Sequence, residues 1–338
     1  MNFKTVSKIP RAGWSAFALL SGLLSSICSG ALAAGYERAE VPAAGADPAI
    51  QAMIWRPCEL SPSKVPQGSD VRPGVENCAI LGASLPLVVI SHGQGGTLMG
   101  HHDTAEALAD AGFVVVAFNH PGDSLGDDAM AQQLRVFESR PRDASRVISF
   151  MLQNWHLRQH LDGKSVGVFG FSRGGYTALA LAGAGPNLPA SAKRLCGDWW
   201  SLLVPLCRQS RSEAAILNPR ADPQIHAAVV VDPLNLFNAT GVQSVRVPVQ
   251  LWASEQGGDG VALSHIEAIR SALPQAPEFH VAKGAGHFAY LAPCSPALKE
   301  SARKICTDPE GFDRPAWHRS MNAAVVTFFK RQLHAPGE

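Results

Sequence analysis

The stretch VFGFSRGGY, residues 168–176, carries the clearest local signal of the fold, because a short apolar run breaks there into Gly-Phe-Ser-Arg-Gly-Gly. The apolar run occupies residues 165–170 and is typical of a buried strand. Residues 174–184, which begin with the two glycines, are mostly small and favour a helix. The stretch therefore predicts a strand that passes through a tight turn straight into a helix.

The turn itself reads Gly-x-Ser-x-Gly, with Ser172 between Gly170 and Gly174. We expect glycine at both positions because the strand and the helix approach too closely there for side chains. In this context the pentapeptide is typical of a nucleophile elbow, in which the serine hydroxyl projects above the sheet. A glycine-rich turn that only allows close packing is the alternative, and the flanking strand and helix favour a nucleophilic Ser172.

A nucleophilic serine needs a base, and the base needs a carboxylate to orient it. His287 is the favoured base, because it lies in GAGHFAY directly after a late strand-like run, from which an imidazole can reach back to Ser172. His92 in SHGQGG is the competing histidine. We interpret His92 as a residue that shapes the glycine-rich turn after an early strand.

Three carboxylates are candidates for the orienting acid. Asp232 ends the apolar run AAVVVDP, whereas Glu255 and Asp259 follow the next run in WASEQGGDG. All three keep the chain order serine, acid, histidine. A carboxylate at a strand end is also a common helix cap or turn residue, so the spacing alone leaves the acid open.

The rest of the chain alternates apolar runs with helical patterns. In addition to the strand before the elbow, the sequence predicts strands over residues 85–93, 113–122, 226–233, 247–255 and 278–287. In addition to the helix after the elbow, it predicts helices over residues 102–112, 143–155 and 320–333. With antiparallel strands near the N-terminus, the alternation predicts an α/β fold with one mostly parallel sheet and helices on both faces. Residues 185–222, rich in Pro, Trp and Arg, interrupt it as a cap-like excursion.

Residues 1–33 are typical of an export signal. Basic residues precede an apolar stretch over 16–24, and Ala-Leu-Ala at 31–33 is a small-x-small cleavage pattern. A membrane anchor is the competing interpretation, but the apolar stretch is shorter than the roughly 20 residues that a bilayer span needs. We therefore expect a mature chain of residues 34–338 that forms one domain, lies in the periplasm or outside the cell, and has no stable membrane span.

Cysteine usage fits an oxidising compartment. Of the seven cysteines, Cys28 lies in the predicted signal, and the remaining six fall into couples that are close in sequence. The predicted disulfides are Cys58–Cys78, Cys196–Cys207 and Cys294–Cys306. A metal site is the alternative, but the sequence has no Cys-x-x-Cys pair, and the pair His156 and His160 has no cysteine near it in sequence. We therefore expect disulfides and no metal.

The charge balance argues against a polyanionic partner. Lys and Arg number 29 and Asp and Glu number 28, which gives a formal net charge of +1. Nucleic-acid binding proteins carry a basic patch, and no block of Lys and Arg stands out in this sequence. We therefore expect no nucleic-acid partner.

Four motifs taken together, GFSRGG, SHGQGG, VVDP and GHFAYLAPC, resemble the α/β-hydrolase superfamily. Within it, the chain from residue 52 onward is similar to the exported bacterial group that resembles dienelactone hydrolase and platelet-activating-factor acetylhydrolase. In the acetylhydrolase branch the acid follows the strand after the nucleophile helix, so the resemblance implies Asp232. It also implies an oxyanion hole formed by the backbone amides of Gln94 and Arg173. The cap-like excursion departs from that branch.

These expectations combine into an exported serine hydrolase that cleaves carboxylic esters through an acyl-enzyme intermediate, without a cofactor. The expected substrate is a small-molecule or lipid-like ester, while the acyl chain, the alcohol and the oligomeric state stay open. An exported serine peptidase or amidase with the same triad is the first alternative. A non-catalytic binding protein on the same fold is the second, and it is disfavoured because it has no reason to keep Ser172 between glycines together with His287.

Overall fold

The structure is a computed structural model that describes residues 32–59, 75–76, 78–187, 205–210 and 217–333. Its strands are β1 (Leu32–Val41), β2 (Ile50–Glu59), β3 (Val75–Glu76), β4 (Leu85–Ser91), β5 (Val114–Phe118), β6 (Leu161–Phe171), β7 (Ala227–Val231), β8 (Val249–Ser254) and β9 (Glu278–Ala282). In this part of the chain they form one nine-stranded sheet, in the order β3-β1-β2-β5-β4-β6-β7-β8-β9.

The sheet is mostly parallel, which confirms the predicted fold class. β4 pairs in parallel with β5 on one side and with β6 on the other, and β6 to β9 continue in parallel. β1 and β2 are antiparallel to each other, and β2 pairs antiparallel with β5. Because β5 and β6 lie on opposite sides of β4, the order of the strands reverses there. Open α/β sheets place their sites at such a point, at the carboxyl ends of the strands.

Helices cover both faces of the sheet. The described α-helices are α1 (His102–Asp110), α2 (Val136–Gln153), α3 (Arg173–Leu181), α4 (Pro205–Ser210), α5 (Leu263–Ala272), α6 (Pro296–Ser301), α7 (Arg303–Cys306) and α8 (Arg314–Leu333). Buried residues of α2, α3 and α5 belong to one hydrophobic core, and those of α1 and α8 belong to the other. Consecutive strand residues point to opposite faces, so Val168 of β6 lies in the first core and Phe169 in the second.

Helix α2 is longer than the sequence predicts. It starts at Val136 rather than at residue 143, with Pro141 inside it. A proline in a helix cannot donate a hydrogen bond to the carbonyl four residues earlier. That carbonyl, of Phe137, accepts a hydrogen bond from the Tyr176 hydroxyl at 3.0 Å instead. The bond from α3 therefore satisfies the group that the proline leaves free.

Two of the predicted disulfides are present. Cys58 bonds to Cys78, which ties β2 to the chain that follows β3, and Cys294 bonds to Cys306 across α6 and α7. Cys207, in α4, is also disulfide-bonded. Its predicted partner Cys196 lies outside the described residues, so that pairing stays a prediction.

The predicted signal lies almost entirely outside the described residues, and so does much of the excursion over 185–222, namely residues 188–204 and 211–216. None of the helices in the described ranges combines the length and the apolar character that a bilayer crossing requires.

Candidate active site

Ser172 occupies the sharp turn between β6, which ends at Phe171, and α3, which begins at Arg173. Its backbone adopts φ 56° and ψ −115°, a conformation that costs a non-glycine residue about 1–3 kcal/mol. Neighbouring backbone holds the turn in place. The Ser172 N–H donates to the Val231 carbonyl at 2.9 Å, and the Ser172 carbonyl accepts from the Leu234 N–H at 2.9 Å.

Both glycines that flank the serine lie against backbone. A Cβ atom at Gly170 would clash with the Gly174 carbonyl, and one at Gly174 would clash with the Ser91 carbonyl at the end of β4. Only glycine fits at either position. The close approach brings β4, β6 and the start of α3 together around Ser172.

His287 and Asp232 form a buried hydrogen-bonded pair. His287 opens a short 3₁₀ helix, His287–Tyr290, after β9, and Asp232 directly follows β7. The His287 Nδ1–H donates to Asp232 Oδ2 at 2.6 Å, and the two side chains are only 1% and 0% exposed. The centroid of the Phe171 ring, next to Ser172 in the chain, lies 4.7 Å from the centroid of the His287 imidazole. The histidine ring therefore packs against the turn that carries Ser172.

The rest of the Asp232 carboxylate is satisfied by β8. Oδ1 accepts from the Ser254 N–H at 2.9 Å, and Oδ2 also accepts from the Ser254 hydroxyl at 2.6 Å. On the histidine, Nε2 is buried and has no hydrogen-bond partner among the described residues. With its Nδ1–H held by Asp232, the imidazole has Nε2 free to accept a proton.

The two other candidate acids lie at the surface. The Glu255 side chain is 40% exposed and accepts hydrogen bonds from Lys283 Nζ at 2.9 Å and the Gly284 N–H at 2.8 Å. These two bonds hold the pKa of Glu255 below its usual value. The Asp259 side chain, 42% exposed, pairs with Lys304 at 3.1 Å. Of the three carboxylates, the structure brings Asp232 into hydrogen-bond contact with His287.

Gln94 and Arg173, the predicted oxyanion donors, lie on adjoining turns. Gln94 follows the end of β4, and a Cβ atom on the neighbouring Gly93 would lie 3.3 Å from Ser172 Cβ. The two residues also touch directly, because Arg173 Nη2 donates to Gln94 Oε1 at 2.5 Å. Within the described part of the chain, neither backbone N–H donates to another protein group. As far as the described residues go, both amides are therefore available to a bound group near Ser172.

His92 makes contacts that fit the interpretation of a turn-shaping residue. Its Nδ1–H donates to the Gly93 carbonyl at 2.6 Å, and its Nε2 accepts from the His120 N–H at 3.2 Å. Burial, together with the positive charge of Arg140, lowers the pKa of His92 well below its usual value. His92 therefore stays neutral and joins the β4 turn to the turn after β5.

A buried charged cluster beneath these turns was not predicted. Asp123, Arg140 and Arg173 are all buried, and both arginines bond to the aspartate. One signal for it exists in the sequence. Arg140 follows the helical spacing of the buried residues Ala144 and Val147 on α2, and a charged residue on an apolar helix face indicates a buried partner.

Comparisons with known proteins agree with this architecture. A family described as alpha/beta hydrolase fold matches residues 86–195. The structure of a ferulic acid esterase from Streptomyces cinnamoneus is similar, with a TM-score of 0.62 and 17% sequence identity over 91% of this chain and 92% of that chain. A search of curated proteins found no match. The nine-stranded sheet, the family match and the structural similarity agree that this chain has the α/β-hydrolase fold.

Proposed function

We propose that this protein is an exported serine hydrolase that cleaves carboxylic esters with Ser172, His287 and Asp232. The observation that carries the proposal is the buried His287–Asp232 hydrogen bond of 2.6 Å next to the strained serine turn. A serine in such a turn, a histidine with one free nitrogen and a buried carboxylate are the three groups that acyl transfer needs.

In the proposed mechanism Ser172 Oγ attacks the acyl carbon of the ester while His287 Nε2 takes the serine proton. His287 then gives that proton to the leaving alcohol, and Asp232 stabilises the imidazolium through its bond to Nδ1. A water molecule attacks the acyl-enzyme in the same way, with His287 as the base, and releases the acid. These steps use the chain's own side chains and backbone together with one water molecule.

We assign the stabilisation of the negative charge that develops on the carbonyl oxygen to hydrogen bonds from the backbone N–H groups of Gln94 and Arg173. The Arg173 amide also opens helix α3, whose N-terminus carries a partial positive charge. Removing one such donor typically costs about 3 kcal/mol of transition-state stabilisation. Two donors on rigid, adjoining turns therefore support a site for tetrahedral intermediates.

The sequence motifs support a place in the exported group similar to dienelactone hydrolase and platelet-activating-factor acetylhydrolase, and the α/β-hydrolase fold supports hydrolase chemistry. The structural similarity is to an esterase, which supports an ester, small or lipid-like, as the substrate. The disulfides at Cys58–Cys78 and Cys294–Cys306 support export through the predicted signal, because such bonds persist in oxidising compartments.

Covalent labelling tests the proposal. A fluorophosphonate probe should label the wild-type protein at Ser172, as read by mass spectrometry of the labelled peptide, and should not label Ser172→Ala. An ester and an amide of the same acyl group should then be compared, and we expect hydrolysis of the ester with far slower hydrolysis of the amide. Faster amide hydrolysis would move the protein to the peptidase or amidase class, and absence of labelling would reject the serine mechanism.

A further inference from the structure

Asp123 is the centre of the buried charged cluster. It follows β5, and its side chain is fully buried. Both of its carboxylate oxygens accept from Arg173 Nη1 at 2.9 Å, and Oδ2 also accepts from Arg140 Nη1 at 2.7 Å. One buried carboxylate thus holds two buried guanidinium groups.

Both arginines connect Asp123 to the turn that carries Gln94. Arg140, on α2, donates to the His92 carbonyl and to the Ser91 hydroxyl, the latter at 3.3 Å, where β4 enters the Gln94 turn. Arg173 donates through Nη2 to the Gln94 side chain at 2.5 Å. The main chain of Arg173 supplies one proposed donor and its side chain fixes the residue that supplies the other.

The cluster has the rigidity that such a task needs. Arg173 Nη1 also donates to the Ala131 carbonyl at 3.0 Å, and its guanidinium lies over the Phe137 ring at 5.2 Å. Buried charges with several fixed partners cannot move without leaving a charge unpaired, which is strongly unfavourable. Preorganised donors contribute most when their positions are fixed before the charge develops.

We propose that Asp123 is a positioning residue of the oxyanion hole: through Arg173 it holds the Gln94 side chain, and through Arg140 it holds the end of β4 from which the Gln94 turn begins. This inference rests on the proposed function, since it concerns the same Gln94 and Arg173 amides. Neither Asp123 nor Arg140 reaches the reacting atoms in this assignment. They set the distance between the two N–H groups, and their loss should slow the chemical step rather than substrate binding.

Gln94→Met is the first test, because it keeps the length of the side chain and the backbone N–H but removes the acceptor for Arg173. Gln94 is exposed, so the variant should fold. We expect kcat for an ester to fall about tenfold with KM within about twofold, less than the loss of a whole donor. The affinity for a boronic acid that forms a tetrahedral adduct with the serine should fall by the same factor. Gln243→Met, at another exposed glutamine with one side-chain hydrogen bond, is the matched control and should change neither value.

Asp123→Asn is the second test, because the amide keeps the shape and loses the charge. Activity is expressed per site titrated with the fluorophosphonate probe, so that unfolded protein is not counted. We expect kcat per titrated site to fall on the order of 10- to 100-fold, with KM nearly unchanged. Asp103→Asn is the matched control for stability, because Asp103 also pairs with a buried cation-forming side chain, His318, outside the cluster. That control should lower stability and leave kcat per titrated site unchanged.

The outcomes separate the two proposals. Wild-type protein that is not labelled overturns the serine mechanism and the positioning of its oxyanion hole with it. Labelled wild-type protein with unchanged kcat and boronate affinity in both variants overturns the role of Asp123 alone. A fall in kcat per titrated site that the Asp103→Asn and Gln243→Met controls do not share supports it.

Discussion

Ser172 is held by main-chain hydrogen bonds that do not involve its hydroxyl. Ser172→Ala should therefore fold and melt close to the wild-type temperature. Because the residues of a triad act as a unit, ester hydrolysis should fall by about 10⁶. Circular dichroism melting curves and turnover of a chromogenic ester measure the two effects, and an active, folded alanine variant would exclude Ser172 as the nucleophile.

The acid can be identified by substitutions that preserve shape. Asp232→Asn should lower kcat on the order of 10⁴, because an amide facing Nδ1 favours the wrong tautomer of His287. Glu255→Gln and Asp259→Asn are matched controls at exposed carboxylates and should leave kcat within about threefold, as surface ion pairs contribute little. A larger loss in either control than in Asp232→Asn would assign the acid to the loop after β8.

These three carboxylates could be predicted from the sequence as candidate acids, but their spacing does not distinguish one from another. Asp232, Glu255 and Asp259 all follow strands whose ends meet at one edge of the sheet. What distinguishes them is side-chain direction, which depends on backbone such as φ 42° at Asp232 and on surface partners such as Lys283 for Glu255. Asp123 escaped prediction for a related reason, because its two arginines are distant in the chain and no local pattern joins them.

Helix α2 depends on a hydrogen bond from its neighbour α3. Tyr176→Phe removes the hydroxyl that serves the Phe137 carbonyl, and an unsatisfied buried acceptor costs about 1–3 kcal/mol. In a Pro141→Ala background the new N–H can donate to that carbonyl, so the same substitution should cost less. Urea unfolding of the two single variants and the double variant measures the coupling energy, and an additive pair would show that the hydroxyl does not replace the missing helical bond.

The Cys294–Cys306 disulfide closes the segment that leaves the His287 loop. A bridge across a loop of about a dozen residues contributes roughly 3 kcal/mol by restricting the unfolded chain, and the two cysteines are 12 residues apart. Replacing both by serine should lower the melting temperature and the turnover.

The Cys58–Cys78 pair provides the comparison. Its removal should lower stability with less effect on turnover, because that bridge joins β2 to the chain before β4. Equal turnover in wild-type protein and in the Cys294/Cys306 double variant would contradict a supporting role for the bridge near His287.

Elements could be predicted wherever the local pattern was sufficient. Continuous apolar runs such as residues 85–93 and 226–233 predicted β4 and β7, since strands of a covered parallel sheet are apolar on both faces. The predicted start of α2 at residue 143 was wrong, because the helix extends back past Pro141 to Val136. The carbonyl that this proline leaves free accepts from the Tyr176 hydroxyl, a tertiary contact that no local pattern reveals. The start of α8 at Arg314, before the predicted residue 320, is stabilised by bonds between that arginine and Asp308.

The hydrogen-bonded contact between α1 and α8 makes the stability of the molecule sensitive to low pH. Asp103 accepts hydrogen bonds from His318 Nδ1 at 2.6 Å and from Asn322 Nδ2 at 2.9 Å. Burial alone would raise the pKa of Asp103, but the hydrogen bond and charge of His318 and the hydrogen bond of Asn322 outweigh it and lower the pKa to about 2. The ionised carboxylate therefore contributes stability that is complete above about pH 4 and is lost as the pH falls towards 2.

Asp103→Asn tests this linkage. The variant should be less stable than wild type by about 2 kcal/mol at pH 7, and the difference should shrink as the pH approaches 2. Urea unfolding at several pH values measures it. Asp259→Asn, at an exposed ion pair, should show a small difference at every pH. A gap between Asp103→Asn and wild type that does not change with pH would contradict the proposed cause.

Helix α8 is the last described element of the chain, and it packs directly against β6, the strand that ends one residue before Ser172. A Cβ atom on Gly167 of β6 would lie 2.5 Å from the Phe329 ring, and Asn322 accepts a hydrogen bond from the Thr104 hydroxyl on α1 at 2.8 Å. In a nascent polypeptide whose α8 residues are still inside the ribosome, Ser172 is already present but α8 does not yet cover β6. We therefore expect hydrolytic activity only after α8 has left the ribosome, and a polypeptide that is cleaved before α8 should be inactive.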